Sequence, residues 1–214
     1  MEYEQFDISQ WERRELYEHF SRLRNPFYAV AANVDVSNLI EYKRHEGLSF
    51  FLSLIYLATE AINAIDNFHL RIVDGHVVRF STIHPNFTHK RANEAVFRFF
   101  TSRMEGTLSE FARRCEAAMK DQTTLFGGHD HSPNLIYFSS FPWAETTAIT
   151  NPGMEDADDG IPRINWGRYG LHDGRYLLNI TVTANHRFID GWHIGLFFRQ
   201  LQERIDRLGD PEKQ

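Results

Sequence analysis

The sequence predicts an α+β fold, a mixed β-sheet with helices packed over it. Three observations lead there. Helical and extended segments alternate along the chain, with no repeat period and no low-complexity linker. The inventory is aromatic-rich, with 18 Phe, 8 Tyr and 4 Trp among 214 residues, which suits a packed sheet better than a bundle built on Leu and Ala. Its helical segments are amphipathic or apolar throughout, so each needs other elements to cover it. At 42% apolar and 24% charged residues the chain has material for one sizeable core, and residues 1–214 are expected to form a single domain.

The elements follow in order. Ser9 with Glu12 makes a capping-box pattern, and Leu16, Phe20 and Leu23 recur at helical spacing, so a first helix is expected from about Trp11. "FYAVAANVDV" is rich in small and β-branched residues and reads as a strand, ending at Ser37, a cap for a short helix through "NLIEYKR". "FFLSLIYLATEAINAI", from Phe50 to Ile65, reads as a buried helix. In "LRIVDGHVVRFS" the Asp74-Gly75 pair between two apolar runs predicts a hairpin. "EAVFRFFTS" is extended, and "LSEFARRCEAAMK" is helical and expected over the sheet. "NLIYFSSFPW" reads as a strand stopped by Pro142, and "INWGRY" and "RYLLNITVTANH" as two more strands around the His172-Asp173-Gly174 turn. Phe197, Phe198, Leu201, Ile205 and Leu208 mark an amphipathic final helix.

Composition excludes several classes of function. A formal net charge of -6 lacks the basic excess that phosphate backbones require, so nucleic acid is not an expected partner. Cys115 is the only cysteine, which rules out an intrachain disulfide and a cysteine-based zinc site and fits a reducing cytoplasm. It lies mid-helix and is a poor nucleophile. The charged start, "MEYEQFDISQWERRE", lacks a secretory signal's apolar core, and the Phe50–Ile65 run is shorter than a bilayer span; neither export nor membrane insertion is expected. "HDH" at 129–131 offers two metal ligands without a third at a recognisable interval, so no metal is expected. Asp156, Asp158 and Asp159 read as a solvated acidic loop. No GxGxxG, P-loop or HExxH pattern occurs.

Chemistry concentrates in "NHRFIDG", residues 185–191, followed at once by "WHIG". A strand leads in and a helix leads out, and loops held by a rigid strand commonly display catalytic side chains. His186 is a candidate base; Asp190, four residues on, could orient the imidazole or fix the loop by pairing with a cation. Spacing alone does not choose.

With "DISQWERRE" at the start, "SFPW" at 140–143 and "GRY" at 167–169, these landmarks resemble, in order and over nearly the whole chain, the chloramphenicol acetyltransferases of the trimeric HxxxDG type. The resemblance implies a two-layer sandwich of mixed sheet and helices and an acetyl-CoA-dependent O-acetyltransferase. His186 would be the general base that takes the acceptor hydroxyl's proton. Ser139, counted back from Pro142, would stabilise the tetrahedral oxyanion, while Ser140 would point to the opposite face. Asp190 would pair with Arg13, or with Arg14 if the helix register slipped, in a structural role. Asn165 stands where the family has a threonine that assists the transition state through water. Arg168 and Tyr169 would contact acetyl-CoA, and Phe27, Tyr28 and Phe87 would line the acceptor pocket. The resemblance further implies a homotrimer with active sites between subunits, no permanently bound cofactor, and chloramphenicol as acceptor.

Three departures mark this chain: Asn185 in place of a second histidine, Asn165 in place of the threonine, and Asp159-Gly160 in place of an aromatic pair of the pocket. The last leaves other hydroxylated acceptors open. Two further readings are a lipoyl-type acyltransferase core, favoured by "NHRFIDG" alone, and a catalytically silent binding protein on the same fold.

Overall fold

The computed structural model describes residues 2–128, 130–152 and 156–209. Along the chain come β1 (Tyr3–Gln5), α1 (Arg14–Phe20), β2 (Phe27–Asp35), α2 (Ser37–Glu46), α3 (Phe50–Asn63), β3 (Leu70–Val73), β4 (His76–Phe80), β5 (His84–His89) and β6 (Arg98–Thr101). They are followed by α4 (Leu108–Asp121), β7 (Leu135–Ser140), β8 (Arg163–Trp166), β9 (Gly170–His172), β10 (Arg175–Asn185) and α5 (Gly191–Asp206).

The main sheet is mixed, in the order β2-β10-β8-β7-β5-β6 with β9 beside β10. The pairs β5/β7 and β7/β8 are parallel, and the rest antiparallel. Period-two alternation sorts its side chains onto two faces. Phe87, Ile136, Phe138, Ile164, Trp166, Ile180 and Val182 join the core formed with α2, α3, α4 and α5. The alternate residues, among them Thr88, Ser139, Asn165 and Thr181, lie on a polar face. The segment between β7 and β8 runs against that face, where Ile149 N donates to Thr181 Oγ1 at 3.1 Å.

Local chemistry explains the helix boundaries. Ser49 Oγ accepts from Leu52 N at 3.4 Å and starts α3, whose ten buried residues make it the central helix, as its apolar run predicts. Thr107 and Glu110 form a reciprocal capping box at α4. At the two hairpins, Asp74-Gly75 and Asp173-Gly174 all have positive φ, the backbone that a two-residue turn between twisted strands needs.

The structure differs from the sequence reading at four places. The first helix begins at Arg14 rather than Trp11, and the residue that caps is Asp7, whose Oδ1 accepts from Ser9 N at 2.9 Å over a 3-10 turn. Leu16 and Leu23 are exposed, because α1 is a short surface helix without a facing partner over that stripe. The Asp74-Gly75 hairpin belongs to a separate three-stranded sheet, β1-β4-β3. Arg71 links this small sheet to the main one: its buried guanidinium donates to the carbonyls of Pro133 and Leu135 at 2.8 Å as well as to Phe68 and Leu70. Burial lowers the Arg71 pKa to about 10. Finally, β5 supplies a central strand that carries no apolar alternation in the sequence.

Candidate active site

His186 follows the last residue of β10, and its backbone N donates to Pro26 O at 2.8 Å, which ties the turn to the entrance of β2. Its imidazole is held between two rings, Phe20 at 3.9 Å and 12° and Tyr28 at 4.3 Å and 27°. Such stacking fixes the ring plane while leaving its edge free for hydrogen bonding. His186 Nδ1 is buried and has no hydrogen-bond partner among the described residues, and the same holds for Tyr28 Oη. Burial, helped by the Asp190 charge, raises the Tyr28 pKa, so this phenol stays protonated.

Asp190 is the N-cap of α5. Its Oδ1 accepts from Trp192 N at 2.9 Å and from His193 N at 3.4 Å, and its other oxygen takes Arg13 NH1. His193 Nδ1 lies 2.8 Å from Asp190 Oδ1 and 3.2 Å from Asp190 N. Nδ1 accepts from Asp190 N, the return half of a reciprocal capping box whose other half is His193 N donating to Asp190 Oδ1. Burial works to raise the Asp190 pKa, yet the His193 ring and the Arg13 guanidinium outweigh it and hold the carboxyl below its usual range. Burial lowers the His193 pKa, against the pull of Asp190. Arg13 is buried and packs over Trp11 at 5.6 Å, whereas its neighbour Arg14 pairs with Glu18 on the surface at 3.5 Å. Asp190 therefore touches Arg13 and α5 rather than the imidazole of His186: the structure joins it to the helix termini, with no triad geometry.

Ser139 stands near the end of β7 on the polar face, in register with Asn165 of β8, and Asn165 is in register with Thr181 of β10. Thr88 Oγ1 lies 3.5 Å from Ser139 Oγ. Ser140 is in register with Trp166, a core residue, and so belongs to the opposite face. Asn165 is 1% exposed, and its Nδ2 has no hydrogen-bond partner among the described residues. A buried unpaired donor of this kind costs about 1–3 kcal/mol.

Register fixes how far apart these two centres are. His186 lies five residues beyond Thr181 along β10, about 17 Å at the rise of a strand, and Ser139 lies two strands to the side at about 5 Å per strand. Within one chain, His186, just past the end of β10, and Ser139, level with the middle of that strand, are therefore about 20 Å apart.

The remaining candidates divide. Tyr169 is half-buried and packs against Phe50 at 5.0 Å and Tyr176 at 5.7 Å. Arg168 is exposed, with its backbone N donating to Ala144 O at 2.8 Å. Phe27 opens β2 opposite Asn185 and is partly exposed on the side of Ala29 and Ala31. Phe87 is not a pocket residue: it is fully buried against Phe51 and Phe100 on the helix-covered face, because strand alternation turns its neighbour Thr88 toward Ser139 instead. Where the aromatic pair was expected, Asp159 accepts from Arg163 NH2 at 2.6 Å, and a Cβ at Gly160 would come within 3.1 Å of the Arg71 side chain. Asp158 pairs with Arg187 at 2.5 Å, so two of the three carboxylates read as a solvated acidic loop are structural. Asn185 donates to the carbonyls of Ala157 and Asp159 at 2.9 and 3.1 Å and anchors this segment to the His186 turn. His129 of the "HDH" run lies outside the described residues; Asp130 caps Ser132 N at 2.9 Å. Among the described residues no group of three or more His, Cys, Asp or Glu could hold a metal, and no helix is long and apolar enough to cross a membrane. Phe20 is the residue that sequence reasoning missed: helical spacing marks it as apolar, but nothing in the pattern aims it at His186.

Known proteins resemble this chain over almost its full length. The chloramphenicol acetyltransferase family model matches residues 1–202. Chloramphenicol acetyltransferase 3 of Escherichia coli is 26% identical over 207 residues, covering 95% of this chain and 97% of the relative. The Clostridium perfringens chloramphenicol acetyltransferase is 25% identical over 95% of this chain and 94% of the relative. A solved chloramphenicol acetyltransferase superposes with a TM-score of 0.88 at 25% identity, covering 95% of this chain and 100% of that one. The cubic core of the pyruvate dehydrogenase multienzyme complex shares the fold alone, with a TM-score of 0.65 at 18% identity over 91% of this chain and 86% of that one. With the HxxxDG turn after β10, the serine on β7 and the family model spanning both, the chain belongs to the chloramphenicol acetyltransferase family.

Proposed function

We propose that the protein transfers the acetyl group of acetyl-CoA to a hydroxyl of a small acceptor, with His186 and Ser139 contributed by different subunits of a homotrimer. The observation that carries this reading is the separation of the two residues within one chain. A base and an oxyanion donor that act on the same carbonyl must lie within a few ångströms of it. A cyclic assembly brings one part of a subunit against a different part of its neighbour. Chloramphenicol is the acceptor that the relatives' names specify and the first to assay.

In this reading the edge of His186 remote from its buried Nδ1 accepts the acceptor's hydroxyl proton as that oxygen attacks the thioester carbon. The carbonyl electrons move onto oxygen, and the Ser139 hydroxyl donates to the oxyanion. Collapse re-forms the carbonyl and breaks the carbon–sulfur bond, and the departing thiolate takes the proton from His186. The Phe20 and Tyr28 rings keep the imidazole in one plane. Asp190 holds the turn through Arg13 and α5, and Tyr169 and Arg168 form part of the surface that receives acetyl-CoA.

The test is complementation. His186→Ala and Ser139→Ala subunits should each be inactive alone in acetyl-CoA thiol release. Equal amounts reassembled at random should recover about a quarter of wild-type activity, since three-quarters of cyclic trimers are mixed and each mixed trimer holds one intact site of three. No recovery from verified mixed trimers would refute the shared site.

A further inference from the structure

Ser139 has a neighbour on each side across the sheet, and the two differ. On β8, Asn165 stands in register with it, but Asn165 Nδ2 has no hydrogen-bond partner among the described residues and so does not donate to the serine. On β5, Thr88 Oγ1 lies 3.5 Å from Ser139 Oγ, and neither residue is fully buried. Strand register carries this contact. β5 and β7 run parallel with Phe87 opposite Phe138, so the next residues, Thr88 and Ser139, turn together onto the polar face.

The contact is fixed from the threonine side. β5 is held along both edges, by β6 with Thr88 opposite Phe99 and by β7, and a β-branched side chain on a strand has few χ1 choices. A serine hydroxyl by itself rotates more freely. Each hydroxyl has one hydrogen to give and two lone pairs with which to accept. On the reading above, which this inference rests on, Ser139 gives its hydrogen to the oxyanion. Its oxygen is then left to accept, and Thr88 is the donor within reach. At 3.5 Å the pair is longer than a settled hydroxyl contact, but catalytic hydrogen bonds are commonly long before substrates bind and tighten once they do.

We propose that Thr88 is a positioning residue for Ser139. Its hydroxyl donates to Ser139 Oγ, which turns the serine's hydrogen toward the oxyanion and, by polarising the Ser139 O–H bond, strengthens what that bond donates. Thr88 acts through Ser139 rather than on the reacting atoms, so its effect falls on the transition state, where negative charge builds on the carbonyl oxygen.

The test is a double-mutant cycle read by thiol release from acetyl-CoA with chloramphenicol as acceptor. Thr88→Val keeps the shape and removes the hydroxyl; it should lower kcat about tenfold with both KM values within about twofold of wild type. Thr88→Ser keeps the donor and should hold kcat within about threefold of wild type. In a Ser139→Ala background, Thr88→Val should change kcat less than about twofold, because the group it acts through is gone. Thr88→Ala takes its place if the valine variant fails to fold. A Thr88→Val kcat within about twofold of wild type, an equal loss in Thr88→Ser, or the same loss in both backgrounds overturns the positioning role and leaves Ser139 as the oxyanion donor. A Ser139→Ala enzyme as active as wild type overturns the reading of Ser139 itself, and the role of Thr88 with it.

Discussion

At Ser139 a shift of one position decides which side of the sheet a hydroxyl reaches. Ser139→Ala should lower kcat about a hundredfold with little change in KM, since an oxyanion donor acts mainly in the transition state. Ser140→Ala, on the core face, should leave kcat within a factor of about three of wild type; steady-state kinetics of the two variants separates the assignments. His193 sets a pH dependence. Its pKa is lowered in the folded state, so between that value and the ordinary imidazole value of about 6.5 the unfolded chain binds the proton more readily. Stability is therefore complete above about 6.5 and falls as pH drops below it, and the lowered Asp190 pKa adds a second loss below about 4. Thermal unfolding across pH should show the first loss in wild type and a smaller one in His193→Asn, since burial lowers the His84 pKa as well. At this scale the family resemblance, rather than spacing alone, made the sequence readable: the Arg13–Asp190 pair that it implied is present, and Ser139 and Ser140 lie on opposite faces of β7. The sequence was unreadable where two segments distant in the chain meet. Phe20 reaches His186 across 166 positions, and Phe87 was assigned to a pocket because an aromatic residue reads the same on either face of a strand until its register is known.

Among the elements, α5 concentrates the most function in its first turn. Asp190 caps it, receives Arg13 from the start of α1 and takes the His193 ring, so one carboxylate joins two helices to the His186 turn. Removing either partner strands a buried charge. Arg13→Ala and Asp190→Asn should each cost roughly 1–3 kcal/mol, and the double variant should lose less than their sum. Chemical denaturation of the four proteins closes that cycle, and strict additivity would refute the coupling. The helices were legible because their apolar periods are local, above all the run of α3, whereas the caps read from the sequence were displaced: Asp7 rather than Ser9 caps the first turn, and α2 follows Val36 with no side-chain cap rather than starting from Ser37. The strands that escaped detection, β1, β5 and the three-residue β9, lack that local signal. Tyr3–Gln5 is exposed and charged, and its only reason to be extended is its antiparallel pairing with β4. His84–His89 contains a proline, an asparagine and two histidines, and it is a central strand because Asn86 and Thr88 lie on the face of Ser139 while Phe87 faces the core.

The whole molecule is expected to be larger than one chain. Light scattering should give three times the chain mass of 25.1 kDa, and specific activity should fall on dilution together with that mass, because on the shared-site proposal a lone subunit holds no complete site. A fully active species at the mass of one chain would remove the shared-site reading. The mixed sheet and its helix layer were foreseeable from alternation and amphipathicity, whereas the distance between His186 and Ser139 needed strand register, which no local pattern states. That distance also bears on inheritance. A cell that makes two versions of this chain, one damaged at His186 and the other at Ser139, would still build some working sites, so the two lesions are partly recessive to each other when carried on separate genes. Placed on the same gene, the same two lesions would leave a subunit that spoils both of its neighbours' partnerships. On the shared-site proposal, selection at His186 or at Ser139 would thus be exercised through the copy next door.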